Sequence, residues 1–178
     1  MGRFVALLRG INVGGRAKVP MAELRALCGR LGWAGAQTYI QSGNIVFEAE
    51  GEAAVLEAAL EEALGAKFGF TPAVMVRSAA QWRGYAATNP FPEAAAEKPN
   101  LVLMGLTKLP VAAEADTALE ARAAHGERVA LAGGALWFHY RAGVGASKLS
   151  PALIDRLAGS PLTARNWRTV QKIGEMLE

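Results

Sequence analysis

The chain is poor in cysteine and histidine. It holds one cysteine and two histidines among 178 residues. A single cysteine excludes an internal disulfide and a cysteine-based zinc site. Two isolated histidines, His125 and His139, make no convincing ligand set. No metal and no cofactor are therefore expected. Cys28 falls on the apolar face of an expected helix, where packing explains it better than reactivity. No G-x-S-x-G is present, so there is no nucleophile elbow, and no G-x-G-x-x-G marks a dinucleotide site. Long apolar runs are missing too. The N-terminal run, Phe4 to Leu8, is too short for a signal-peptide core or a membrane span. Ala6 stands where a myristoylation motif needs Ser or Thr. A cytoplasmic protein with no membrane attachment is the simplest expectation.

What is present suits one soluble globular domain, or two small subdomains. Apolar residues make up 52% and charged residues 20%, enough to build a core without staples. The net charge of +3 is segregated. Residues 1 to 30 carry six Lys/Arg against Glu23, and residues 139 to 172 carry six against Asp155. Residues 31 to 138 hold seven against twelve Asp/Glu. If the two basic ends meet, they form a face that attracts anions; if they lie apart, the charges simply solvate the surface.

Periodicity gives an order of elements. Phe4 to Leu8 reads as a strand buried on both faces. Pro20 opens a helix on which Leu24, Leu27, Cys28 and Leu31 share a face, and Gly32 stops it. "AQTYIQSGNIVFEAE" reads as a hairpin turning at Ser42-Gly43-Asn44. Residues 52 to 68 form a helix with Leu56, Leu60 and Leu64 inward and its glutamates elsewhere. "TPAVMVRS" is a further strand. Residues 3 to 78 thus read β-α-β-β-α-β, the split-βαβ pattern of ferredoxin-like folds. The order recurs after residue 99: a strand at "NLVLMGL", a helix over 112 to 124, a hairpin turning at Gly133-Gly134, a helix from about Ser150 to Ala158, an extended "PLTARNW" and a final helix. The expected fold is α+β, two ferredoxin-like subdomains with mostly antiparallel sheets. Residues 1–86 form the first, 87–99 a proline-rich linker, and 100–178 the second with its terminal helix.

Four stretches could carry a ligand. "LLRGINVGGRAKVP" joins a strand to a helix start, where amides lack partners and the dipole end is positive. Gly14 and Gly15, with Gly10, let the backbone curl; Arg9, Arg16 and Lys18 add charge, and Asn12 adds a hydrogen-bonding amide. It is no nucleotide-triphosphate loop, because Arg16 and Ala17 replace the required lysine and hydroxyl residue. Two readings fit: an anion cradle, or a glycine-rich connection with solvated cations. In "QSGNIVF", Ser42 and Asn44 either face a ligand or serve the turn. In "GASKLSP", Lys148 lies near a helix start, where the dipole disfavours a cation unless an anion is bound. In "TARNWRT", Asn166 caps the last helix or binds a ligand, Arg165 suits a phosphate, and Trp167 stacks on a base or anchors the core.

These motifs together, "LLRGINVGG…KVPMAELR", "TYIQSGNIVF", "SKLS" and "TARNWRTV", resemble a bacterial family known as domain of unknown function 1697. The resemblance runs from the first strand to the last helix, weakest over residues 79 to 130. It implies a two-subdomain α+β fold and no established activity. The matching polar positions fall in the basic ends. They are expected to meet at one basic cleft between the subdomains and to bind a phosphate-bearing ligand, a nucleotide or nucleic acid. Two competing functions remain open: an enzyme acting on a small anionic substrate, and a structural or protein-interaction module.

Overall fold

A computed structural model describes all residues, Met1–Glu178. The chain divides into two compact units, one of Met1–Trp82 with Ile173–Glu178 and one of Arg83–Lys172. Each contains a four-stranded antiparallel sheet.

In the first unit, β1 (Gly2–Leu8), α1 (Met21–Arg30), β2 (Ala34–Tyr39), β3 (Asn44–Ala49), α2 (Ala53–Phe68) and β4 (Val74–Ser78) follow in order. The sheet order is β2-β3-β1-β4. This is the ferredoxin-like arrangement, with the two hydrogen-bonded neighbours of β1 coming from later in the chain. Phe4 to Leu8 are all buried, as a strand covered on both faces requires. On one face Phe4, Ala6 and Leu8 pack with Ile45, Phe47, Val74 and Val76 against Leu24, Leu27 and Cys28 of α1 and Leu56, Leu60 and Leu64 of α2. Trp33 stacks on Phe47, ring centroids 4.1 Å apart. Burial pushes the Cys28 thiol up to about 12, so it stays protonated and inert at neutral pH.

The second unit repeats the order. β5 (Val102–Thr107), α5 (Ala115–Glu120), β6 (Arg128–Ala132), β7 (Ala135–His139), α6 (Pro151–Ala158) and β8 (Leu162–Asn166) give a sheet ordered β6-β7-β5-β8. Gly133 and Gly134, at φ 60° and 85°, make the two-residue turn between β6 and β7. Positive φ at both positions is what a type I′ hairpin needs. Ser150 caps α6 by accepting from the Leu153 amide at 3.2 Å, and Gly159 ends the helix at φ 78°. Leu119, Leu136, Phe138, Ile154 and Leu162 centre the core. Two further helices, α3 (Ala79–Ala87) and α7 (Trp167–Met176), each divide their residues between the two units, and α4 (Pro92–Glu97) lies in the second.

Three local expectations change. The 87–99 stretch contains α4 followed by a 3-10 turn at Pro99–Leu101, because Pro92 and Pro99 each sit at a helical start rather than breaking one. The 112–124 helix shrinks to Ala115–Glu120, since Glu114 adopts φ 62° and stops extension on its N-terminal side. The hairpin connection is residues 40–43, and Asn44 already belongs to β3.

The glutamates of α2 are also not merely solvated. Glu57 accepts from the Val76 amide at 2.8 Å and Glu61 from the Val74 amide at 2.9 Å. The second unit does the same: Asp116 accepts from Leu131 at 3.0 Å and Glu120 from Val129 at 2.7 Å. Both pairs are spaced i, i+4 on a helix, and their amides are spaced i, i+2 on an edge strand. That match places two carboxylates over the outward N–H groups of β4 and of β6. Unpaired edge amides template aggregation, and these acids occupy them.

Candidate functional site

The glycine-rich loop is a small hairpin of its own. Arg16 donates its amide to the Val13 carbonyl at 3.0 Å, with Gly14 at φ 57° and Gly15 at φ 73° between them. One layer further in, the Asn12 amide donates to the Ala17 carbonyl at 3.0 Å. The two glycines therefore serve a tight turn, whose tip residues 13 to 16 are exposed. Arg16 and Lys18 are exposed, and Arg9 is half-buried with its amide given to the Ala73 carbonyl.

Asn12 holds this hairpin to the rest of the unit. Its Nδ2 donates to the carbonyls of Val19 at 3.0 Å and Gln41 at 2.9 Å, and its Oδ1 accepts from the Val19 amide at 2.8 Å. Those groups use both amide protons and one of the two lone pairs of Oδ1, so Asn12 braces the loop. The loop thus meets the 40–43 turn directly. Leu8 donates its amide to the Gly43 carbonyl at 2.8 Å. Asn44, 1% exposed, donates to the Tyr39 carbonyl at 2.9 Å and the Ser42 hydroxyl at 3.0 Å. Arg9, Asn12, Gly14, Gly15, Arg16, Lys18, Ser42 and Asn44 are accordingly one corner of the first unit.

The remaining candidates lie in the second unit. Arg165 is 7% exposed; its Nη1 donates to Thr163 Oγ1 at 2.7 Å and the Ala164 carbonyl at 2.8 Å. Burial pulls its guanidinium down to about 10. Asn166 caps α7 by accepting from the Thr169 amide at 3.0 Å. Trp167, half-buried, packs on Trp137 with ring centroids 5.8 Å apart. It also lines a fissure of about 430 Å³ with Ala86, Ala87, Asn89, Pro92, Ala95, Ala96, Pro99 and Gln171. That lining contains no ionisable group, so the fissure offers an anionic substrate no counter-charge. Asn89 and Gln171 were not legible as pocket residues, because their only sequence signal is proximity to proline and a helix start.

Lys148 is exposed in the loop before α6. The loop is held by Ser147, which donates to Glu127 Oε1 at 2.6 Å and accepts from the Leu149 amide at 3.1 Å. Glu127 also accepts from the His125 amide at 2.7 Å. The Ser147 hydrogen bond holds the Glu127 carboxyl down at about 2, against partial desolvation. A depressed folded pKa stabilises at neutral pH and loses that contribution as pH falls from the ordinary value near 4.5 towards 2. Urea midpoints should therefore show E127Q less stable than the parent at pH 7, with the gap closing by pH 2. A constant gap across that range would mean the charge is irrelevant. No cluster of three or more His, Cys, Asp or Glu is placed to hold a metal ion. No helix is long and apolar enough to cross a membrane.

The duplicated strand order and paired helices make this a tandem ferredoxin-like α+β protein. The chain belongs to the family described as protein of unknown function DUF1697, which it matches over residues 1–137. That match contains the first-unit corner and ends before Lys148 and the 165–167 stretch. The chain is also similar to the solved structure of a conserved bacterial protein from Streptococcus pneumoniae, at 25% identity over 99% of each chain and a TM-score of 0.78. No curated protein matches it.

Proposed function

We propose that the protein binds a phosphate-bearing ligand, a nucleotide or nucleic acid, through the hairpin of residues 9 to 18, and does so in the cytoplasm. The observation that carries this reading is the pairing of rigidity with charge. Three hydrogen bonds of Asn12 fix an exposed loop that carries Arg16 and Lys18 and contributes only Ile11 and Val19 to the core. A loop already held in place loses little entropy when it binds, and exposed cations supply the attraction. Residues 1 to 22 contain no carboxylate, so no sequence neighbour competes for those cations.

Binding of a labelled oligonucleotide or nucleotide should then fall with salt. With two or three phosphates neutralised, affinity drops roughly ten- to forty-fold between 50 and 200 mM salt. Charge reversal in R16E/K18E should remove most of the binding and nearly all of that slope, with the urea midpoint unchanged. Binding that is indifferent to salt and to R16E/K18E would end this reading.

A further inference from the structure

We propose that the ligand of this loop is a single-stranded nucleic acid, with Val13 and Ile40 covering base faces while Arg16 and Lys18 hold phosphates. The proposal rests on the phosphate-binding reading above and narrows it. Val13 is 66% and Ile40 50% exposed, on the tips of two adjacent loops. The Asn12–Gln41 hydrogen bond fastens those loops at the residues next to each tip. Ile40 adopts φ +50°, a left-handed conformation that a β-branched side chain adopts only at a cost and that Asn or Gly would adopt far more easily. Folding therefore gains little from an isoleucine here: its backbone is strained and half of its surface stays in water. Strain of this kind gathers where a surface is used.

The charge around the two tips selects the partner. Residues 24 to 47 contain no carboxylate, as residues 1 to 22 contain none. A free inorganic anion has no use for two aliphatic side chains. A duplex hides its base faces by stacking, whereas a single strand offers them, and it alternates those faces with phosphates. A lipid surface also combines phosphate with apolar matter. Yet exposed Gln41 follows Ile40 directly, and neither tip carries the Trp, Phe or Leu that seats a loop among acyl chains. An amide beside an aliphatic side chain suits a base edge beside a base face.

Fluorescence anisotropy with a mixed-sequence single-stranded oligonucleotide, its duplex, and phosphatidylserine-containing vesicles tests this on the full chain. The single strand should bind more tightly than the duplex. V13S/I40N should weaken single-strand binding severalfold through lost apolar contact and leave the melting temperature unchanged or higher, since Asn suits position 40. Wild-type affinity in V13S/I40N, equal or tighter binding of the duplex, or no single-strand binding would overturn the proposal. So would vesicle binding that V13S/I40N abolishes while oligonucleotide binding persists, or a melting temperature lowered by several degrees. If nucleotide binding and its loss in R16E/K18E survive any of these results, only the single-strand assignment falls. If R16E/K18E changes nothing, the phosphate-binding reading falls with it.

Discussion

Replacing Gly43 by alanine is expected to destabilise the first unit by roughly 2–5 kcal/mol, through two separate costs. Gly43 adopts φ +83°, which a side chain enters at a cost of about 1–2 kcal/mol. An added Cβ would also stand 2.7 Å from Ile11 Cδ1 and 2.8 Å from Leu8 Cβ. Both neighbours are buried, and Leu8 Cβ cannot rotate away, so overpacking adds about 1–3 kcal/mol. For a protein of this size each kcal/mol lowers Tm by about 2–4 °C, giving a fall of ~10 °C. Gly14 is the control: it has φ +57° and nothing within 4 Å of an added Cβ. G14A should therefore lose only the conformational part. Equal losses in G43A and G14A, measured by urea unfolding, would show that the contact with Leu8 and Ile11 is not a constraint. Because the chain forms two compact units, the loss belongs to whichever transition reports the first.

The same corner shows where the residues alone led correctly and where they did not. Element type and order were legible wherever one period dominates. Phe4 to Leu8, the leucine stripe of α2 and the Gly133-Gly134 turn all declare themselves within a short window. The short α5 was not legible, because alanine-rich sequence favours helix while the left-handed Glu114 ends it. The acids of α2 and α5 looked like solvated faces. Their real partners, the amides of β4 and β6, lie up to 19 residues away in the chain. Candidate site residues were legible as types and not as roles. Arg165 stands two residues from Thr163 on one strand, so a period of two does place both on one face. Its burial, however, depends on how β8 is covered, which no local pattern states. Ile40 left no signal either: an isoleucine next to a tyrosine reads as strand continuing, and only the backbone angle marks it as a strained tip.

Asn12 gives the sharpest test of role, because its side chain, expected at a ligand, also ties the loop together. N12A should cost about 3–4 kcal/mol at neutral pH. It removes three hydrogen bonds worth about 1 kcal/mol each, and it puts alanine at φ 56°, which asparagine tolerates better. N12D is more informative than N12A. It keeps an oxygen for the Val19 amide but sets the other against the carbonyls of Val19 and Gln41, which Nδ2 meets at 3.0 and 2.9 Å. An ionised carboxylate there is repelled, and a protonated one can donate to one of the two carbonyls. The folded-state pKa of the introduced carboxyl should therefore lie above its unfolded value, near 3.9. A raised pKa means stability that is gained as pH falls through the folded value and lost as it rises. N12D should accordingly be at least as damaging as N12A at pH 7 and should recover relative to N12A by about pH 4, in urea midpoints read side by side. A residue kept only for a ligand would show the reverse pattern, with both variants near parental stability and binding alone impaired.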